Sequence, residues 1–162
     1  MTGERANTLT LITFWVDDLL LGVDIARVQE INRCGDLTVV PKVAPRVRGI
    51  VNLRGELVTV MDLKLTLKRR RTDVSRTTRT IVVSQPEETI GLLVDGVRDV
   101  LTTTEDRIEP LPSHVDRSLG QYFLGVVQQP DALVVLLDID AVARADASVR
   151  GSVPALAGTE SR

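Results

Sequence analysis

Two stretches of the chain are written on one template. Residues 48–63 read Arg-Gly-Ile-Val-Asn-Leu-Arg-Gly-Glu-Leu-Val-Thr-Val-Met-Asp-Leu, and residues 124–139 read Leu-Gly-Val-Val-Gln-Gln-Pro-Asp-Ala-Leu-Val-Val-Leu-Leu-Asp-Ile. They align without a gap: Gly49 falls on Gly125, Val51 on Val127, Leu57 on Leu133, Val58 on Val134 and Asp62 on Asp138. Most other pairs exchange one aliphatic residue for another. Each copy reads as two short strands around a tight turn, with an acid at the end where a helix N-cap would stand. In the first copy Gly55 supplies the positive φ that a hairpin turn often demands. The first copy has Asn52-Leu53-Arg54-Gly55 at the hairpin tip and the second has Gln128-Gln129-Pro130-Asp131. The framework repeats and the tip does not, so the tip carries something specific to the first copy.

The rest of the chain follows the same two-fold programme. Residues 9–16 read as a strand with Ile12, Phe14 and Val16 on one face. Asp17-Asp18 makes a turn and Leu19–Val23 returns. Asp24 is placed to cap a helix running to about Arg33, because Ile25, Val28 and Ile31 share a side at helical spacing and Gly35 can end it. Pro41 and Pro45 mark an extended connector. The programme restarts with strands over Thr80–Ser84 and Thr89–Val94, a turn at Asp95, and Val97–Leu101. Residues 102–120 read as a polar connector. Tyr122–Val127 and Ala132–Leu137 form the second hairpin, and Asp138 caps a closing helix to about Ala145. Residues 1–7 and 148–162 read as flexible tails around one domain, 8–147. Its halves meet near residues 66–78, and strands are free to exchange between them. Four or five short strands per half, with polar turns, indicate a mainly β fold of two small antiparallel barrels. Each half alone would be marginal, so the two should share an interface.

Composition narrows the function. The 162 residues carry a net charge of −2 and four aromatics (Phe14, Trp15, Tyr122, Phe123), so neither a basic footprint nor a stacking platform for nucleic acid is present. The basic run Lys68-Arg69-Arg70-Arg71 reads as a solvated loop. The single Cys34 excludes an internal disulfide and a cysteine metal cluster, and suits a reducing cytoplasm. No signal peptide is apparent, and no apolar run approaches the ~18–20 residues that cross a bilayer. The protein is therefore expected to reach a membrane only through partners, without direct insertion. The one histidine, His114, lies in a Pro-flanked polar loop with no paired base or nucleophile. No phosphate-binding loop, dinucleotide fingerprint or zinc spacing occurs. No catalytic residue, metal or cofactor is expected, and the chain reads as a non-enzyme.

The words Val47-Arg48-Gly49-Ile50-Val51-Asn52-Leu53-Arg54-Gly55 through Leu63 resemble the chemotaxis coupling protein family, CheW. So do Gly22-Val23-Asp24-Ile25 with Val28-Gln29-Glu30-Ile31, Val40-Pro41, and Gly91-Leu92-Leu93-Val94-Asp95-Gly96-Val97. The resemblance implies two five-stranded SH3-like β-barrels packed side by side, with short helices and no catalytic activity. It implies an adaptor between the cytoplasmic tip of methyl-accepting chemotaxis receptors and the regulatory domain of the histidine kinase CheA. Such a protein is a monomer when isolated and part of a larger array in the cell, where heterologous contacts can close into rings. Departures occur at Thr59, where the family often has Pro, at Lys64, where it often has Arg, and at Leu65–Lys68, where a Phe-Gly pair commonly stands.

On this reading Arg54 is the leading receptor-binding residue, since a guanidinium at an exposed tip offers forked donors to a carboxylate. The bland alternative is an arginine clamping a neighbouring element. Asn52, Val28 and Gly49 join it on the receptor-binding side, although Asn52 also suits a turn-ordering role, Val28 a core role and Gly49 a backbone role. Glu30 and Arg48 form a second constellation facing receptor or kinase, or are ordinary surface charges. The receptor tip is expected in a groove between the barrels. Alternatives of function are a coupler serving another output, such as pilus motility or development, and a small-ligand-binding barrel.

Overall fold

The computed structural model describes residues 7–35, 37–39 and 46–150, with side chains as far as Arg144. The expected connector at Pro41 and Pro45, and most of the two expected tails, lie outside these residues. The described elements run β1 (Thr8–Val16), β2 (Leu19–Asp24), β3 (Val28–Arg33), β4 (Val47–Leu53), β5 (Glu56–Asp62), α1 (Leu63–Lys68), β6 (Arg79–Ser84), β7 (Thr89–Val94), β8 (Gly96–Thr104), α2 (Arg117–Gly120), β9 (Phe123–Gln129), β10 (Ala132–Leu137) and α3 (Ile139–Arg150). The expected connector 102–120 holds the end of β8, a 3-10 turn at Glu105–Arg107 and α2. The closing helix runs past Ala145 to Arg150.

The helix expected from Asp24 to Arg33 is corrected. Asp24 does cap a helical turn, accepting the Ala26 N–H at 2.9 Å, but the turn spans only Ile25–Arg27. The chain then extends as β3. Val28 pairs with Val83 and Glu30 with Val82, so Gln29 is an extra residue in the ladder. A bulge of one residue breaks the two-residue alternation, and residues three apart then share a face. Val28 and Ile31 both pack against the core for this reason. Their spacing imitates a helix while their β-branching suits the strand.

The ten strands form two sheets, ordered β8-β1-β2-β10-β9 and β3-β6-β7-β5-β4. The orders map onto each other strand for strand when the two halves of the sequence are exchanged. Each half gives its first hairpin to the other half's sheet: β1–β2 joins β8, β9 and β10, and β6–β7 joins β3, β4 and β5. The inserted hairpins enter by the two parallel pairings, β2 with β10 and β7 with β5. Both crossings between the sheets are short: Ile25–Arg27 separates β2 from β3, and Asp95 alone separates β7 from β8. These are two five-stranded, SH3-like barrels packed side by side, and the region 66–78 divides the sequence repeat without dividing the sheets.

The exchanged hairpins make the central core. Ile12, Phe14, Val16, Leu21 and Val23 of β1–β2 are clustered with Ile81, Val83, Ile90, Leu92 and Val94 of β6–β7, together with Met61, Leu63 and Leu67. The other face of β1–β2 packs inside its own barrel, where Leu11 and Leu20 meet Val127, Val134 and Leu136. A hairpin buried on both faces has no solvent side. That is why β2 carries Leu20, Leu21, Gly22 and Val23 in an unbroken buried run. The repeat is also exact in backbone at its two matched glycines. A Cβ on Gly49 would lie 2.6 Å from the Thr38 carbonyl oxygen, and one on Gly125 would lie 2.7 Å from that of Glu109. Those carbonyls belong to the matching bridges Thr38–Ile50 and Glu109–Val126, which only glycine lets approach.

Candidate functional site

The β4–β5 tip is a two-residue turn with both central residues at positive φ, Arg54 at 54° and Gly55 at 87°. Such a turn matches the twist of its strands. Asn52 braces it by accepting the Gly55 N–H at 2.9 Å, the local role its side chain suited. A left-handed arginine costs roughly 1 kcal/mol against glycine or asparagine. The tip therefore holds a residue that the turn alone would not select.

The Arg54 side chain is 78 % exposed and makes a forked pair with Glu30, Nη1 to Oε2 and Nη2 to Oε1, both 2.9 Å. Glu30 lies on β3 and Arg54 on the β4–β5 turn, so the pair joins the two end strands of one sheet and spans the seam of that barrel. Two of the guanidinium's five N–H groups are used, and the others face solvent. Beside the pair is a cavity of about 330 Å³, lined by Glu30 and Asn32 of β3, Val51–Arg54 of the hairpin, Leu37 and Thr80. All of these residues belong to or flank one sheet, so this cavity lies on one barrel. The other barrel has a seam pair of inverted sign: Arg98 on the end strand β8 bonds Asp131 at the β9–β10 tip.

Glu30 and Arg48 do not stand together: Glu30 pairs with Arg54, and Arg48 pairs with Asp62. Arg48 turns inward with its side chain 14 % exposed and donates from Nη1 to Asp62 Oδ2 at 2.8 Å and to the Thr72 carbonyl at 2.9 Å. Asp62 is fully buried, and a buried carboxylate must be paired. Arg48 answers that need, so its expected place on a partner-facing surface gives way to a clamp inside the fold. Val28 lies on β3 at the edge of the central core, half-buried, one strand residue pair from Glu30. Gly49 is a point of close backbone approach.

The basic run does more than face water. Lys68 Nζ lies 3.1 Å from Asp18 Oδ1, and Arg70 bonds Asp17, so the run ties α1 to the β1–β2 turn. Lys64 reaches Asp95 at 3.1 Å, on the crossing between the sheets. The Lys68 hydrogen bond, and next its charge, holds the Asp18 carboxyl below the ordinary aspartate range. Sequence reading missed these acceptors because Asp17-Asp18 and Asp95 sat at turns, where acids need no partner to explain them. On α3, the hydrogen bond from Arg27 at 2.8 Å likewise holds the Asp140 carboxyl low. Burial pushes the Cys34 thiol up, with Arg48 opposing weakly. Among the described residues no helix is long and apolar enough to cross a membrane, and no three potential metal ligands are grouped.

The family model described as "CheW-like domain" matches residues 10–147. The chain is 29 % identical over 154 residues to the chemotaxis protein CheW of Bacillus subtilis, covering 95 % of this chain and 98 % of that protein. It is 30 % identical over 140 residues to the chemotaxis protein CheW of Thermotoga maritima, covering 86 % and 91 %. The crystal structure of the scaffolding protein TtCheW from Thermoanaerobacter tengcongensis superposes with a TM-score of 0.73 at 27 % identity, covering 85 % of this chain and 88 % of that one.

Proposed function

The chain belongs to the CheW-like domain family, and from that premise we propose that it is a non-catalytic adaptor coupling methyl-accepting chemoreceptors to the histidine kinase CheA in chemotaxis. The seam at Arg54 is the receptor-binding surface in this reading. The observation that carries it is a forked Arg54–Glu30 pair standing exposed at a hairpin tip, on a residue whose backbone conformation opposes its presence. Glu30 holds the guanidinium in one orientation before any partner arrives, so little side-chain entropy is lost on binding. The remaining N–H groups can take a carboxylate or backbone carbonyls of the receptor's helical tip. Asn52 sets the turn, and Val28 and the wall of the adjoining cavity offer apolar contact. Arg48 serves this surface only indirectly, by holding the base of β4.

Other faces of the barrels meet the matching fold of the kinase regulatory domain, and two such faces per molecule allow rings of coupler and kinase. Signal passes as a conformational bias: a receptor state that contacts the adaptor differently shifts how the kinase is held. The protein works in the cytoplasm and joins membrane arrays through these partners.

The test is co-purification of wild type, Arg54→Ala and Arg54→Glu with a receptor signalling fragment and with CheA. The variants should lose the receptor while keeping the kinase and the wild-type melting temperature. Capture of the receptor by Arg54→Glu at the wild-type level would remove Arg54 from the interface. Failure of the wild type to capture either partner would remove the adaptor reading itself.

A further inference from the structure

The two-fold repeat exposes a difference at the start of its helices. Asp62 and Asp138 are equivalent: Asp62 N–H donates to the Arg46 carbonyl and Asp138 N–H to that of Tyr122, and each carboxylate caps the helix that follows. Asp62 Oδ atoms receive the Leu65 N–H, the Thr72 N–H, the Thr72 hydroxyl and the Arg48 guanidinium. Of these, the described residues give Asp138 only the capping N–H, from Ala141 at 3.1 Å. Two substitutions of structure explain the loss. The chain returns to Asp62 after the short α1, bringing Thr72, whereas α3 runs on to Arg150. The position matching Arg48 is Leu124, which is 63 % exposed.

Where the first half is filled by its own arginine, the second half has an open groove of about 720 Å³ lined by both Leu124 and Asp138. Leu9, Leu11 and Ile108 supply apolar wall, and Asp24, Glu105 and Asp140 add carboxylates around the rim. Among the described residues lining it the cation is Arg27, which is held by Asp140 and by the Ser84 carbonyl. We propose that this groove is a docking site for an arginine-bearing segment of a partner protein, whose guanidinium takes at Asp138 the place that Arg48 takes at Asp62, with an aliphatic neighbour against Leu9 and Leu124. Two observations point the same way. The equivalent carboxylate binds a guanidinium within this same chain, and the groove's charge is complementary to a cation over an apolar floor. The site goes beyond the receptor-binding surface at Arg54, which lies on the other sheet, and each can fail without the other.

The probe is acetyl-leucyl-arginine amide at millimolar concentration, with acetyl-leucyl-citrulline amide as its uncharged isostere, read by backbone amide chemical shifts of the full chain. The arginine peptide should shift the amides of Leu124 and Ile139–Ala141 in a saturable way, and the citrulline peptide should bind about tenfold more weakly. Asp138→Asn keeps a capping oxygen and should weaken the arginine peptide by a similar factor. Leu124→Arg should fill the site from within, raise the melting temperature and abolish the peptide shifts. Equal binding of the two peptides, no saturable shift at these amides, or undiminished binding to folded Leu124→Arg would each overturn the proposal.

Discussion

Replacing Arg48 by methionine should expose how much the fold depends on the pair inside the first hairpin. The side chain keeps an unbranched apolar stem but loses the guanidinium that faces Asp62. Asp62 has no solvent access, so the lost partner cannot be replaced by bulk water. Removing one member of a buried ion pair costs ~3–5 kcal/mol. The lower end applies here, because Thr72 and Leu65 still donate three hydrogen bonds to the carboxylate and Arg48 itself touches solvent. A loss of about 3 kcal/mol is a large part of a domain's usual stability. At ~2–4 °C per kcal/mol for a chain of this size, the melting temperature should fall by about 6–12 °C. Asp62→Asn should cost about 2 kcal/mol, since its amide would face the donors of Arg48 and Thr72. The double variant leaves no unpaired charge, so it should be more stable than the sum of the single losses predicts by at least about 1 kcal/mol. Urea titrations followed by far-ultraviolet circular dichroism measure all three. If Arg48→Met unfolds within about 0.5 kcal/mol of wild type, or the two losses simply add, the pair is not the clamp described.

Three further outcomes follow from the same geometry. Gly49→Ala should destabilise by roughly 2 kcal/mol or more, because its Cβ meets the Thr38 carbonyl at 2.6 Å, while Gly55→Ala, in open space at φ 87°, should cost only about 1 kcal/mol; equal losses in thermal melts would contradict this. The Asp140 carboxyl is held low in the folded state, so its tie to Arg27 stabilises above the ordinary aspartate range and is lost as pH falls through the lowered value. Arg27→Gln should therefore melt below wild type at neutral pH, and the gap should narrow in acid without closing, because Arg27 also donates to the Ser84 carbonyl; a gap that widens in acid would refute the assignment. Cys34, whose thiol is pushed up by burial, should alkylate more slowly than free cysteine at neutral pH, with a rate still rising above the usual thiol range; reaction at the free-thiol rate would show that it is not sheltered.

The site at Arg54 was legible in part. Arg54 stood out because the repeat conserves hairpin framework and not tip, and the tip turn, the Asn52 brace and the Asp62 cap follow from local chemistry within a few residues. The Glu30–Arg54 pairing was not legible, because Glu30 falls in a stretch whose helix-like spacing comes from a bulge. Arg48 looked like surface charge because nothing local reveals that Asp62, ten residues before Thr72, is buried.

Nine of the ten strands, the hairpins, the duplicated framework and the family could be read from the sequence alone, since these rest on periodicity, turn residues and caps that act over short distances, whereas β3 was read as a helix. Tertiary structure decided which strands share a sheet, which carboxylates are sealed from water and which charges meet. Each of those depends on where the exchanged hairpins carry β1–β2 and β6–β7. The short links at Ile25–Arg27 and Asp95 carry the chain across between the barrels, and that crossing, not any residue's own preference, brings Lys64 to Asp95, Arg70 to Asp17 and the two apolar hairpins face to face.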